Sequence, residues 1–77
     1  MTPQPNDRFC YYDPRKLSPA MRIIEAAALY TAKYGLGAAY VHAHPDTLQG
    51  CPGYVNGIRV VADPAVTPNT FEIGSEQ

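Results

Sequence analysis

The chain has 77 residues, of which 45% are hydrophobic and 17% are charged, and its formal net charge is −1. This length allows one domain over residues 1–77 with a thin margin of stability, since a domain of about 60 residues buries only roughly 60% of the surface of its unfolded chain. The composition argues against a disordered protein, and the balanced charge argues against a nucleic-acid partner.

Two further sequence features limit where the protein can act. No apolar run approaches the length of a membrane span, and we see no secretory segment, so we expect a soluble intracellular protein without a membrane partner. Cys10 and Cys51 are the only cysteines. We expect two free thiols, because a disulfide requires an oxidising compartment, and Cys51 lacks the neighbours that would make it reactive.

The N-terminal part of the chain is predicted to be a tail followed by a short strand. Residues 1–7 are polar and contain two prolines, which is typical of a flexible tail. The run from Arg8 to Asp13 is rich in aromatic residues and could form a strand, but the sequence leaves its existence open.

One main helix is predicted from Pro19 to Tyr34. The hydroxyl of Ser18 can accept hydrogen bonds from the first turn, and proline fits the first helical position because it needs no donor there. Gly35 tolerates the left-handed conformation that often ends a helix. At 100° per residue, the predicted core face consists of Ala20, Ile23, Ile24, Ala27, Tyr30, Thr31 and Tyr34.

The opposite face of this helix is predicted to be charged around a single leucine. Arg22, Glu25 and Lys33 lie on this face, and Leu29 is four residues after Glu25 and four before Lys33. A lone exposed leucine usually has no role, yet it also offers a place where a partner protein can pack. We therefore take Leu29, Glu25, Lys33 and Arg22 as candidate partner-binding residues.

Strands are predicted in the second half of the chain. The run from Ala38 to His44 alternates, with Ala39, Val41 and Ala43 on the helix side, and further strands cover 58–62 and 70–73. The predicted class is α+β, with one helix on a small sheet of three to four strands. The order is an optional strand, the helix and three strands, and the strand directions stay open.

His42, His44 and Asp46 form the sharpest candidate for chemistry. Residues two apart on a strand point the same way, and two imidazoles with a carboxylate are ligand types of a zinc or iron site. Further ligands would have to come from Asp63, Glu72 or a cysteine, without supporting spacing. We therefore expect solvated or packing histidines, no cofactor and no catalytic residues, and keep metal binding as an alternative.

Three segments after the helix have a recognisable order. Val41 to Leu48 is a strand that ends in a proline turn, Gly57 to Asp63 is a Val-Val strand with an acidic break, and Pro68 to Gly74 is a closing strand. This order resembles the axial domain of tailed-phage major capsid proteins, over about residues 19–75. Asn69 stands where that family usually has glycine. The family's spine helix, extended arm and peripheral domain are absent, which is consistent with a miniature or stand-alone relative.

The resemblance implies a phage or prophage origin, no catalysis, and contacts through strand edges and loops. We therefore expect a non-enzymatic virion accessory or capsid-directed factor, in the host-cell cytoplasm or the virion. Its partner would be a protein or another copy, giving a homo-oligomer. Two alternatives stay open: a phage-encoded inhibitor of a host or defence protein, and a metal-binding module or small metalloenzyme built on His42, His44 and Asp46.

Overall fold

The computed structural model describes residues 9–75, so the tail predicted at residues 1–7 lies outside the described part. Within that part, one helix and five strands follow one another. They are β1 (Phe9–Tyr12), α1 (Pro19–Tyr34), β2 (Tyr40–Ala43), β3 (Tyr54–Val55), β4 (Ile58–Ala62) and β5 (Thr70–Gly74). No helix among these residues is long and apolar enough to cross a membrane.

The five strands form one mixed sheet in the order β1-β5-β2-β4-β3. Strands β2 and β4 run parallel, and the other neighbours are antiparallel. The α+β class is therefore confirmed, and the optional first strand is present. The predicted count of three to four strands is wrong, because β3 adds a fifth strand between the turn at 44–53 and β4.

Strand β3 exists because of the Asn56-Gly57 pair that follows it. Both residues have positive φ, 52° at Asn56 and 79° at Gly57, which is the backbone conformation of a two-residue hairpin turn. The turn pairs Val55 with Ile58 and Tyr54 with Arg59. Two residues are too few to show alternation, so this strand is detectable only through the chemistry of its turn.

The helix begins and ends at the predicted residues. The Ser18 hydroxyl oxygen accepts a hydrogen bond from the Met21 backbone N–H at 3.2 Å. At the other end Gly35 has a φ of 70°, and its N–H donates to the carbonyl oxygen of Thr31 at 2.8 Å. Both ends therefore have partners for backbone groups that a helix terminus leaves unpaired.

The core lies between α1 and one face of the sheet. Ile23 and Ala26 from the helix are fully buried, as are Val41, Phe71 and Ile73 from β2 and β5. The strand pairing sets Val41 beside Ile73, so the two central strands present one continuous apolar surface to the helix. Alanine in the helix allows a close approach to that surface.

The predicted core face of the helix is partly wrong. Ile24 is 41% exposed and Thr31 is exposed, whereas Ala26, which was not assigned to the core, is fully buried. The helix is therefore rotated towards the side that carries Arg22 and Ala26, because Arg22 is held inside by hydrogen bonds described below. Ile23, Ala27 and Tyr30 are buried as predicted.

The face of the sheet opposite α1, here called the open face, has one position where a side chain packs so closely on the backbone that glycine is required. Tyr40 lies directly opposite Gly74, and a methyl group built on Gly74 would come within 2.3 Å of the Tyr40 hydroxyl oxygen. The tyrosine ring thus covers the bare backbone of Gly74, an arrangement that compensates for a glycine in a strand.

The rotation of the helix predicts unequal effects for two adjacent isoleucines. Replacing the buried Ile23 by alanine is expected to lower the free energy of unfolding by about 2–5 kcal/mol, because it leaves a cavity in the core. Replacing the exposed Ile24 by alanine is expected to cost no more than about 1 kcal/mol. Urea denaturation of both variants measures the difference, and equal losses would show that the helix is rotated differently.

A second pair of variants tests the covered glycine. Gly74→Ala is expected to lower the free energy of unfolding by about 1–3 kcal/mol, because the new methyl group must displace the Tyr40 ring. Gly37→Ala is the matched control, since a methyl group there has no atom within 4 Å. Thermal unfolding of both variants is the measurement, and an unchanged midpoint for Gly74→Ala would contradict the packing of Tyr40 on Gly74.

Candidate protein interface

The outer face of α1 exposes three large hydrophobic side chains. Met21 is 51% exposed, Leu29 46% and Ile24 41%. A helix that covers one side of a sheet has to bury only the stripe that faces the sheet, so the outer side is normally polar. Three large apolar residues on a single sixteen-residue helix therefore exceed what the core of this fold requires.

Two of the predicted partner-binding residues border Leu29 on this face. Glu25 is exposed and forms an ion pair with Arg15, whose guanidinium donates to the Glu25 carboxylate. Lys33 is also exposed, and its ammonium nitrogen lies 5.4 Å from the ring centre of Tyr34 and 5.7 Å from that of Phe9. Both charged groups therefore have defined positions, one turn before and one turn after Leu29.

Arg22 does not belong to this surface, and its predicted exposure is wrong. The residue is only 7% exposed, and one guanidinium nitrogen donates to the Asp13 carbonyl oxygen at 3.1 Å and to Asn69 Oδ1 at 3.3 Å. The guanidinium carbon also lies 5.5 Å from the centre of the Phe71 ring. Helical periodicity could not reveal these contacts, because they come from segments distant in sequence.

A buried carboxylate supports Arg22 from the end of β1. Asp13 is 2% exposed, and its two carboxylate oxygens accept hydrogen bonds from Arg15, each at 2.8 Å. The hydrogen bond from Arg15 is the main reason why the pKa of Asp13 falls to about 2. Since Arg15 also contacts Glu25, the charges form a chain from the buried end of β1 to the rim of the outer helix face.

The two histidines lie on or beside the open face of the sheet but do not converge on one point. His42 Nδ1 is 3.5 Å from Asp63 Oδ2, whereas His44 Nδ1 accepts a hydrogen bond from the Asp46 backbone N–H at 3.0 Å. Each imidazole is thus associated with its own aspartate. Within residues 9–75 no group of three or more histidine, cysteine, aspartate or glutamate residues is placed to hold a metal ion.

The open face of the sheet is a second exposed surface. The side of the sheet opposite α1 carries Tyr12 and Tyr54, which are 64% and 65% exposed. Strand alternation places Tyr40, Glu72 and Arg59 on the same side. This surface mixes aromatic and charged groups, whereas the outer helix face alternates Met21 and Leu29 with Glu25 and Lys33 along one row.

Both cysteines are free thiols, as predicted. Cys10 is exposed on β1, and Cys51 packs against the core in the loop before β3. Burial raises the pKa of the Cys51 thiol, which lowers the thiolate fraction at neutral pH. The sulfur of Cys51 is therefore a poor nucleophile in this environment.

Comparisons with protein-family models, with curated proteins and with solved structures each found no match to this chain. The proposed function is therefore based on the residues of this chain and on their geometry.

The depressed pKa of Asp13 predicts a defined loss of stability in acid. Because the folded state keeps Asp13 ionised below the ordinary pKa of 3.8, its contribution is complete above that pH and disappears as the pH falls towards about 2. Asp13→Asn should reduce stability at pH 7 and remove this part of the acid dependence. Urea denaturation between pH 7 and pH 2, with the exposed Asp46→Asn as control, measures both effects. Parallel pH profiles for wild type and Asp13→Asn would contradict the ion pair.

Proposed function

We propose that this chain is a non-enzymatic protein of phage type that acts through protein–protein contact, as a virion accessory or capsid-directed factor. Its contact surface is the row along the outer face of α1 in which Met21 and Leu29 alternate with Glu25 and Lys33. The observation that carries the proposal is the exposure of Met21 and Leu29 on this row, each more than 40% accessible.

The composition of the surface supports a protein partner. Interfaces combine an apolar centre with a polar rim, and the centre is depleted of charged residues. Leu29 lies between Glu25 and Lys33 along the helix, and Ala28 beside it is small and exposed. Met21 and Leu29 therefore alternate with charged side chains, and a partner has to match both the apolar contacts and the charges.

The phage part of the proposal is based on the sequence resemblance. The three segments that carry it form β2, β4 and β5, which are neighbours in the order β5-β2-β4. An accessory or capsid-directed role is compatible with the resemblance.

The surroundings of the candidate chemical groups favour a role without catalysis. His44 is engaged in a local turn with Asp46, and His42 lies against Asp63 and the ring of Tyr40, at 5.2 Å between ring centres. The Cys51 thiol has a raised pKa. None of these three groups has the activated, converging arrangement of a nucleophile and its base.

The proposal predicts that Leu29 controls association with a phage head protein. An affinity-tagged chain, produced in its native host during phage production, is expected to co-purify with such a protein. Leu29→Glu should reduce the recovery at least tenfold, because it places a charge at the centre of the contact. Thr31→Glu, an exposed position on another side of the same helix, is the matched control and should behave as wild type.

The result also separates the alternatives. Equal recovery of head proteins with Leu29→Glu and wild type would contradict the outer helix face as the contact surface. Recovery of a host defence protein in place of a head protein would contradict the capsid-directed role and favour the inhibitor hypothesis. Circular dichroism checks that Leu29→Glu is folded, which is expected because the side chain is 46% exposed.

A further inference from the structure

We propose that the outer face of α1 binds the same face of a second copy of this chain, with the two helices antiparallel about a two-fold axis at Leu29. This inference rests on the proposed function and names a second copy of the chain as the occupant of that surface when no head protein is bound. It follows from the spacing of three exposed residues, Glu25, Leu29 and Lys33, together with the signs of their charges.

The three residues form one row along the helix. They are spaced by four positions, which places them on adjacent turns of the same face, about 6 Å apart along the axis. Leu29 is at the centre of the row, with an acidic residue on the N-terminal side and a basic residue at equal spacing on the C-terminal side. The row is therefore antisymmetric in charge about Leu29.

An antisymmetric row is complementary to its own antiparallel copy. A two-fold axis at Leu29 sets Leu29 against Leu29 of the second copy, Glu25 beside Lys33 of the second copy, and Lys33 beside Glu25 of the second copy. Such a contact is isologous, with the same patch used twice. A parallel arrangement would instead place Glu25 beside Glu25 and Lys33 beside Lys33, so charge selects the antiparallel one.

The residues beside the row favour close helix packing. Ala32, three residues after Leu29, is exposed and small enough to let a second helix approach, and Met21 extends the row by one turn beyond Glu25. Antiparallel packing also sets the N-terminal end of each helix dipole near the C-terminal end of the other. These features agree with the charge pattern in selecting one geometry.

The side chains of Glu25 and Lys33 are already held in position within the single chain. Arg15 contacts Glu25 on one side, and the rings of Phe9 and Tyr34 lie under Lys33 on the other. Each of these two side chains therefore loses less conformational freedom when it contacts the second copy.

The test uses single charge reversals alone and in mixture, with mass measured by sedimentation equilibrium. Wild type is expected to show a species of twice the 8.4 kDa monomer mass. Glu25→Lys alone and Lys33→Glu alone should each raise the dissociation constant of the dimer by roughly tenfold or more, since each converts two attractive pairs into two repulsive ones. Leu29→Glu should be monomeric, and Thr31→Glu should behave as wild type.

An equimolar mixture of Glu25→Lys and Lys33→Glu decides the geometry. In the mixed pair, a lysine faces a glutamate at both contacts, so the dimer is expected to return with an affinity near that of wild type. Contacts within each chain are the same in the mixture as in the separate variants, and they cannot cause the recovery. A wild type that stays monomeric up to about 1 mM, or a mixture that is no tighter than its components, overturns the proposal.

The outcome is distinguishable from failure of the proposed function. A monomeric wild type whose association with a head protein depends on Leu29 would overturn the two-fold dimer alone. A dimer that passes the mixing test but binds no phage head protein would overturn the capsid-directed role alone.

Discussion

The packing of α1 on the centre of the sheet is the interaction on which the rest of this structure depends. Ile23 and Ala26 are fully buried against Val41, Phe71 and Ile73, and few other groups among residues 9–75 are so completely removed from water. Burial of a large aliphatic or aromatic side chain stabilises by about 1.5–3 kcal/mol, and a small domain has few such contributions. Because a single helix covers only one face of the sheet, the outer side of the helix and the open face of the sheet both stay exposed.

The rotation of the helix then decides what the outer side presents. Arg22 is drawn inward by the Asp13 carbonyl and Asn69, and the Asp13 carboxylate is held by Arg15. This rotation buries Ala26 and leaves Ile24 exposed. A buried polar anchor at the N-terminal end of α1 thus decides which side of the helix faces the solvent.

Local signals in the sequence predicted the elements well, and long-range contacts explain where prediction failed. Ser18 and Gly35 determine the helix ends through their own backbone and side-chain chemistry, so both ends were predictable. The burial of Arg22 depends on groups 9 and 47 residues away, which periodicity cannot detect. The Asn56-Gly57 pair favours a hairpin turn, but the two-residue strand before it is too short to show alternation. For the candidate surface, the predicted exposure is correct for Leu29, Glu25 and Lys33 and wrong for Arg22.

The central claim is that the fold leaves its helix, and not its sheet, as the apolar contact surface between two copies. Isotope-filtered nuclear Overhauser spectroscopy on a mixture of ¹³C-labelled and unlabelled chains tests it directly. Contacts between the Leu29 methyl groups of one copy and the same helix of the other are expected. Intermolecular signals confined to Tyr12, Tyr40 or Tyr54 on the open sheet face, or no intermolecular signals at millimolar concentration, would contradict it.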